Sequence, residues 1–204
     1  MRVSAWTVAC CMAILIAGCA SSPPVHYYTL SGTGAGSRLN AAGPVAVRLD
    51  KVAVPAELDR PQLVRRVSAT QLQVLDSERW AAPLEDMIRR VLSDNLAARL
   101  PANLVADPNE PASSVPRQLL SLDVRDFYAD STCAVTLRAA WTVKRTDGQF
   151  VQGTEEIQVA GSGCAGAGTM PAAMSQALGE LSDRLAARLA QLTDDSHQQA
   201  PGDR

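Results

Sequence analysis

The sequence predicts a single α/β domain in which a mixed, mostly antiparallel sheet packs against two long helices. Three observations lead to this prediction. About 185 residues follow the N-terminal leader, which is the size of one domain with a full core. Several segments alternate apolar and polar residues with the period of a β-strand. Two further segments place apolar residues at the spacing of one helix face.

The N-terminus has the layout of a secretory signal peptide. Arg2 precedes an apolar stretch from Val8 to Ala17, about half the length that a transmembrane helix needs, and small residues follow. Residues 16–19, Ile-Ala-Gly-Cys, resemble the bacterial lipobox, in which cleavage precedes a cysteine that is then acylated. We therefore predict a lipoprotein signal peptide at 1–18 and lipid attachment at Cys19. An ordinary cleavage site with a chance cysteine is the alternative.

The residue after Cys19 helps to predict which membrane the lipoprotein reaches. An aspartate there would resemble an inner-membrane retention signal, and Ala20 stands in its place. This favours the outer membrane in a cell that has two membranes. A multiply acylated cysteine would meet the two-chain requirement for stable anchoring, so no second membrane segment is needed.

Residues 19–43 are predicted to be a lipidated tether with a candidate edge strand at 26–30. The flanks are rich in Ser, Gly, Pro and Ala and are typical of a flexible linker, whereas "HYYTL" contains strand-forming residues. An extended chain from Cys19 to Tyr27 reaches at most about 25 Å. A fixed strand at this position would therefore hold the domain close to the lipid surface.

The domain proper is predicted to span residues 44–193 and to begin with a strand. In residues 44–54 the apolar positions change phase, which requires a bulge near Asp50 and Lys51. Two short strands are expected next, at 62–67 and 70–75.

The first helix is predicted between Pro83 and Pro101. Its apolar residues fall on one stripe, with charged residues opposite, and Pro83 suits a helix start. Residues 107–116 contain three prolines and are predicted to be a loop. The second helix is expected from about Pro171 to Leu192, again with a leucine stripe. A disordered tail is predicted at 194–204.

A strand from about Gln118 to Tyr128 and a following hairpin complete the predicted sheet. A two-residue turn in this hairpin would set an apolar face opposite polar residues. A three-residue loop, Thr146–Gly148 with glycine in the left-handed position, brings the two apolar faces together. We therefore predict Arg145 opposite Gln149.

The hairpin register brings the two cysteines of the domain near each other. It places Cys133 opposite Gly161, and Cys164 lies three residues further on. This spacing allows a disulfide, which requires Cα atoms within roughly 7 Å, but does not force one. Cys133 and Cys164 are thus disulfide candidates in an oxidising compartment, and two buried thiols are the alternative.

The sequence lacks a recognisable catalytic set, so we do not expect an enzyme. Its two histidines, His26 and His197, lie outside the predicted core, and no metal-ligand spacing is present. The glycine-rich residues 161–168 lack the lysine of a phosphate loop. No cofactor and no metal are predicted. Nineteen Lys and Arg against 21 Asp and Glu leave no basic field for nucleic acid.

One charged segment gives a more specific indication of function. In "VPAELDRPQLVRR", residues 54–66, Pro61 fixes its own φ and keeps Arg60 out of helical geometry, so an extended turn is expected. One interpretation is a salt-bridged turn between two strands. The other is a recognition surface in which guanidinium groups meet carboxylates or lipid phosphates of a partner.

Several segments together resemble a known family, the ABC-type transport auxiliary lipoproteins. They are "YYTL" soon after a lipobox, "LDRPQLVRR", a tryptophan followed by "PLEDMIRRVLSDNLAARLP", and a late hairpin with a C-terminal helix. The resemblance covers nearly all of the mature chain, except the loop at 107–116 and the tail. It implies an outer-membrane lipoprotein without catalytic residues, which faces the periplasm. It also implies service to a transport system with mammalian-cell-entry (MCE) domain proteins that moves lipids between membranes.

The expected function is therefore docking. The partners would be an MCE-domain periplasmic protein with its inner-membrane transport components, and the outer membrane through the anchor. Within residues 57–66 and beside them, the predicted contacts are Asp59, Arg60, Arg65 and Trp80. A homo-oligomer is left open. The alternative is a structural or assembly lipoprotein of the envelope that binds no transporter.

Overall fold

The fold is described by a computed structural model for residues 23–34, 47–100, 105–106, 118–164, 166 and 168–198. The predicted signal peptide, Cys19, residues 35–43 of the predicted tether and the loop at 107–116 lie outside the described residues. In chain order the elements are β1 (His26–Tyr28), β2 (Val47–Ala53), β3 (Gln62–Ser68), β4 (Gln71–Trp80), α1 (Leu84–Arg99), β5 (Val105–Ala106), β6 (Gln118–Ala129), β7 (Val135–Lys144), β8 (Phe150–Val159) and α2 (Thr169–Gln198).

The strands form one mixed sheet around β6. On one side β6 pairs antiparallel with β7, which pairs antiparallel with β8. On the other side β6 pairs parallel with β2 over its first half, and its last residue, Ala129, pairs with Arg65 of β3. The sheet continues from β3 to β4 and ends at β1, which runs parallel to β4. The predicted single α/β domain with two helices and a mixed sheet is confirmed, and its longest pairings are the antiparallel ones.

The predicted hairpin register is confirmed. The Arg145 amide donates a hydrogen bond to the Gln149 carbonyl over 2.8 Å, and the Gly148 amide donates to the Arg145 carbonyl. Gly148 has a φ of 85°, the left-handed conformation that the three-residue loop requires. The apolar residues of β7 therefore share one buried face with Ile157 and Val159 of β8.

The bulge in β2 is also confirmed. The pairing of β2 with β6 shifts between Leu49 and Lys51, and Leu49 and Val52 are both buried. The extra residue thus lets β2 keep an apolar residue on the core side before and after the bulge.

The two helices lie over one face of the sheet and contact each other. The predicted stripe of α1 is buried, with Ile88, Leu92 and Leu96 fully inaccessible to solvent. The second helix continues to Gln198, six residues past the predicted end, because residues 193–200 contain no proline or glycine. The predicted disordered tail at 194–204 therefore begins too early, and residues 199–204 lie outside the described part of the chain.

The segment after β1 corrects the expected flexible linker. Residues 29–34, which we call the strap, cross both helices, and Leu30 is fully buried. The Ser31 amide donates to Ser175 Oγ of α2 over 3.1 Å, and the Thr33 amide donates to Asn95 Oδ1 of α1 over 3.3 Å. Small residues are needed because the chain passes close to both helices, so the composition that resembles a linker here belongs to a packed segment.

Candidate partner-binding surface

The predicted turn between β2 and β3 has a defined backbone conformation. The amide of Leu58 donates to the Pro55 carbonyl over 2.9 Å, and the amide of Arg60 donates to the Leu58 carbonyl over 2.8 Å. Leu58 is 3% exposed and packs in the core, which holds the turn against the sheet. The Pro61 carbonyl accepts a hydrogen bond from the Trp80 amide and joins the turn to the end of β4.

Asp59 and Arg60 are exposed on this turn. Within the described residues neither side chain takes part in an ion pair. Their charges are therefore available to a partner. Of the predicted contact residues, these two have the exposure that recognition requires.

Arg65 has a more local role. Its guanidinium donates to Gln73 Oε1 over 2.6 Å, across the β3–β4 hairpin, and the residue is half-buried. This hydrogen bond connects the side chains of the two strands of the hairpin.

Trp80 is not available to a partner. It is 6% exposed and belongs to the apolar core, at the end of β4 where the chain turns into α1. Its expected role as a contact residue is therefore wrong. A large aromatic residue at the junction of a strand and a helix fills the space between them, and the sequence alone does not distinguish this from a surface position.

A charged network that the local sequence pattern does not predict lies beside the turn. Arg66 Nη2 is 3.2 Å from Asp126 Oδ1, and Arg138 also donates to Asp126. The Arg66 guanidinium lies 4.2 Å from the centroid of the Tyr128 ring. Tyr128 Oη in turn donates to Glu57 Oε1 over 2.9 Å. Glu57 therefore connects the turn to β6 through Tyr128, and Arg66 pairs with β6 beside it, while the charges of Asp59 and Arg60 face solvent.

The environment of Tyr128 keeps its hydroxyl protonated. Burial of the ring raises the pKa of Tyr128 above its usual value, and the hydrogen bond to the Glu57 carboxylate raises it further. The hydroxyl thus remains a donor to Glu57 across the neutral pH range. No short-range sequence signal could have found this network, because 60 residues separate Arg66 from Asp126.

The two cysteines of the domain are joined by a disulfide. Cys133 and Cys164 form a disulfide with Cα atoms 5.3 Å apart, which ties the β6–β7 turn to the segment before α2. Oδ1 of Asp130 accepts from the Thr132 amide over 2.7 Å and from the Ala134 amide over 3.0 Å. Burial acts to raise the pKa of Asp130, but these hydrogen bonds outweigh it and hold the pKa below its usual value.

The glutamate opposite β1 fixes the edge of the sheet. Glu78 Oε1 lies 3.3 Å from His26 Nδ1, and Glu78 also accepts a hydrogen bond from Tyr28. This bond, with burial and the carboxylate charge, raises the pKa of Tyr28 to about 12. His26 is thus part of a strand contact.

No group of three His, Cys, Asp or Glu side chains within the described ranges could hold a metal ion. In the same ranges, neither α1 nor α2 has an apolar run of the length that a bilayer crossing requires.

Two solved structures share this fold. The first is a crystal structure of an uncharacterised protein with 23% sequence identity and a TM-score of 0.68, which covers 81% of this chain and 99% of that one. The second is a Xanthomonas campestris protein with 20% identity and a TM-score of 0.66, which covers 86% of this chain and 100% of that one.

The sequence comparisons give information about the family in addition to the fold. The intermembrane transport lipoproteins PqiC of Escherichia coli and of Shigella flexneri are each 27% identical over 142 residues, which covers 69% of this chain and 74% of each relative. The family model of the ABC-type transport auxiliary lipoprotein component matches residues 28–186, which include the strap, the turn, α1 and the first half of α2. The chain therefore belongs to the ABC-type transport auxiliary lipoprotein family.

Proposed function

We propose that this protein is an outer-membrane lipoprotein, attached through Cys19, that docks the periplasmic end of an MCE-type lipid transport assembly to that membrane. Its role is non-catalytic. The family match over residues 28–186 is the observation on which this proposal mainly rests. Two curated relatives described as intermembrane transport lipoproteins support it.

The strap supports the anchoring part of the proposal. A docking protein must transmit the position of its anchor to its folded domain. The strap begins ten residues after Cys19 and is fixed by Leu30 in the core and by hydrogen bonds to both helices, so only a short segment separates the anchor from a rigid structure. A long flexible linker would leave the docked partner free to move away from the membrane.

The turn at 55–61 supports the docking part. It is fixed at its base by Leu58 and by the Glu57–Tyr128 hydrogen bond, and it presents Asp59 and Arg60 to solvent. A preorganised backbone lowers the entropy that ordering costs on binding, and exposed charges favour an oppositely patterned partner. We assign Asp59 and Arg60 as the partner-contact residues.

A charge swap tests this assignment without changing the net charge. Asp59→Lys with Arg60→Glu reverses both charges on the turn. Asp123→Lys with Arg125→Glu is the matched control, because these side chains are 63% and 62% exposed and lie in β6, beside the end of β2, and not on the turn. Each full-length variant is extracted from cell envelopes in mild detergent, and the proteins that copurify are identified by mass spectrometry.

We expect an MCE-domain protein to copurify with the wild type and the control, and to be lost from the turn variant. Retention by the turn variant would reject Asp59 and Arg60 as contacts. If no MCE-domain protein copurified with a wild type whose Cys19 is acylated, the docking function would be wrong. The alternative of a structural envelope lipoprotein would then be favoured.

A further inference from the structure

Four of the five large apolar side chains that are exposed among the described residues lie on the β1 side of the sheet, two beside the second half of β4 and two at the tip of the β3–β4 hairpin. Among the described residues, large apolar side chains are exposed at Val25 (41%), Tyr27 (64%), Val67 (48%), Leu72 (36%) and Phe150 (66%). The first four lie in β1, just before it, or in the hairpin formed by β3 and β4. We call these four residues the apolar edge.

The route of the chain places the apolar edge near the anchor. Because β1 runs parallel to β4, the chain before Val25 comes from the side of the β3–β4 hairpin tip. The six residue steps from Cys19 to Val25 span at most about 21 Å. The part of β4 between Gln71 and Glu78 is about 23 Å long. An acylated Cys19 therefore lies within about 21 Å of Val25, which is less than the length of the hairpin.

The hairpin has an open strand edge on the same side. In the described residues, β1 pairs with β4 only at Glu78, Arg79 and Trp80, so no strand covers the outer edge of residues 71–77. Residues 71–75 of this edge carry no charge. Soluble proteins usually protect such an edge with charged residues, short strands or proline, because an unprotected edge associates.

A lipid surface fits the chemistry of this edge. Tyrosine is enriched where a protein meets the membrane–water interface, because its ring is apolar and its hydroxyl is polar. Val25, Val67 and Leu72 provide the apolar surface that would enter the boundary between headgroups and acyl chains. The fixed strap holds β1 against the domain, so the chain from Cys19 reaches the folded domain at the apolar edge.

We propose that the apolar edge lies against the bilayer in which the Cys19 anchor is inserted. This inference rests on the acylation in the proposed function. The turn at 55–61 lies at the other end of β3 from the hairpin tip, about 20 Å away along the strand. Val67 and Leu72 therefore lie at the opposite end of the hairpin from the turn, whereas Tyr27, which pairs with Arg79, lies near the end where the turn joins Gln62.

Tryptophan fluorescence tests the contact. Tyr27→Trp and Leu72→Trp each add an indole to the apolar edge, and Phe150→Trp adds one at a residue of similar exposure in β8, the strand at the opposite side of the sheet. Trp80 and Trp141 are both 6% exposed and give the same background in every variant. Each full-length lipidated variant is reconstituted in phosphatidylethanolamine and phosphatidylglycerol vesicles with and without brominated lipids.

We expect brominated lipids to remove about half or more of the emission added by Tyr27→Trp and Leu72→Trp, since apolar side chains in the interface lie about 5–10 Å deep. The emission added by Phe150→Trp should remain. Equal quenching of all three variants, or of none, would overturn the proposal. A blue shift at the edge that depends on protein concentration and not on lipid would assign the edge to a second copy of the chain.

The failure of the anchor and the failure of the contact can be told apart. The mass of the mature protein reports whether Cys19 is acylated. If it is not, the anchor in the proposed function is wrong, and the same quenching is measured on protein tethered through a lipid maleimide at Cys19. Quenching at Tyr27→Trp in that sample would support the contact by itself, and its absence would reject it.

Discussion

Thr33 of the strap occupies the space in which a side chain at Gly179 of α2 would lie. A Cβ atom at Gly179 would overlap Oγ1 of Thr33 and would lie 3.0 Å from its Cβ and 3.1 Å from its Cγ2. The helix thus has a glycine where the strap crosses it. This relationship joins the N-terminal segment, and with it the anchor, to the folded domain.

Gly179→Ala is expected to loosen the strap. Alanine in a helix interior is favoured over glycine by about 0.5–1 kcal/mol, so an unobstructed site would become more stable. We expect a loss of about 1–2 kcal/mol instead, because overpacking costs about 1–3 kcal/mol. Urea denaturation measures the loss, and hydrogen exchange of the Ser31 and Thr33 amides reports release of the strap.

Thr33→Ala provides the control for this overlap. It removes Oγ1 and Cγ2, so Gly179→Ala should cost less in the Thr33→Ala background than in the wild type. An equal cost in both backgrounds would mean that the alanine does not act through Thr33.

Arg99 is expected to stabilise the same junction through buried hydrogen bonds. Its side chain is 3% exposed, its Nε donates to Asp183, and its guanidinium donates to the carbonyls of Asn95 and Gly179 over 3.0 and 3.3 Å. Arg99→Met leaves these acceptors without their donor, so we expect a loss of about 2–3 kcal/mol in urea denaturation.

The matched change is Arg184→Met in α2, next to the Asp183 that pairs with Arg99. Arg184 is 50% exposed and pairs with Glu155, and an exposed ion pair contributes about 0–1 kcal/mol. Similar losses for the two variants would show that the buried hydrogen bonds of Arg99 add nothing particular.

Reduction of the Cys133–Cys164 disulfide is expected to destabilise the domain. The bridge closes a loop over a sequence separation of 31 residues. The chain-entropy model assigns about 3–4 kcal/mol to a loop of this size. Denaturation of the oxidised protein against the Cys133→Ser/Cys164→Ser variant measures the difference. If the two had equal midpoints in urea, the bridge would not constrain the unfolded chain as expected.

High pH is expected to release β1. The pKa of Tyr28 is raised to about 12 in the folded protein by its hydrogen bond to Glu78, from an ordinary value of 10.0. A raised pKa means that the protonated form is stabilised by folding, so this contribution is complete below pH 10 and is lost as the pH rises toward 12. Ultraviolet absorbance of tyrosinate follows the titration, and Tyr28→Phe identifies the signal of Tyr28.

Glu78→Gln removes the carboxylate that raises this pKa. We expect the Tyr28 titration to move down toward 10 in that variant and the stability to fall less between pH 10 and 12. A titration that does not move would assign the shift to burial instead.

The period of apolar residues explains which parts of the fold the sequence could predict. The bulge near Asp50, the stripe of α1 and the three-residue loop ending at Gly148 all follow from keeping apolar residues on one side of the chain. These are local rules, and each requires knowledge of only about 10 to 20 neighbouring residues.

The strap and the charged network do not follow from such rules. Residues 31–34 are small and polar, so they have no apolar period, and their partners Ser175 and Asn95 are more than 60 residues away. For the same reason the pairing of Arg66 with Asp126 could not be predicted. The burial of Trp80 does not follow from the sequence either, because a sequence does not show which aromatic residues the helices cover.

Site-specific photo-cross-linking at Arg60 tests the central claim most directly. A photoreactive amino acid replaces Arg60 in the full-length protein in living cells, and a second sample carries it at Arg125, which is also exposed. After irradiation, we expect an MCE-domain protein to be captured from position 60 and not from position 125. Capture of no MCE-domain protein at position 60, from a protein that is folded and acylated at Cys19, would contradict the proposed docking surface.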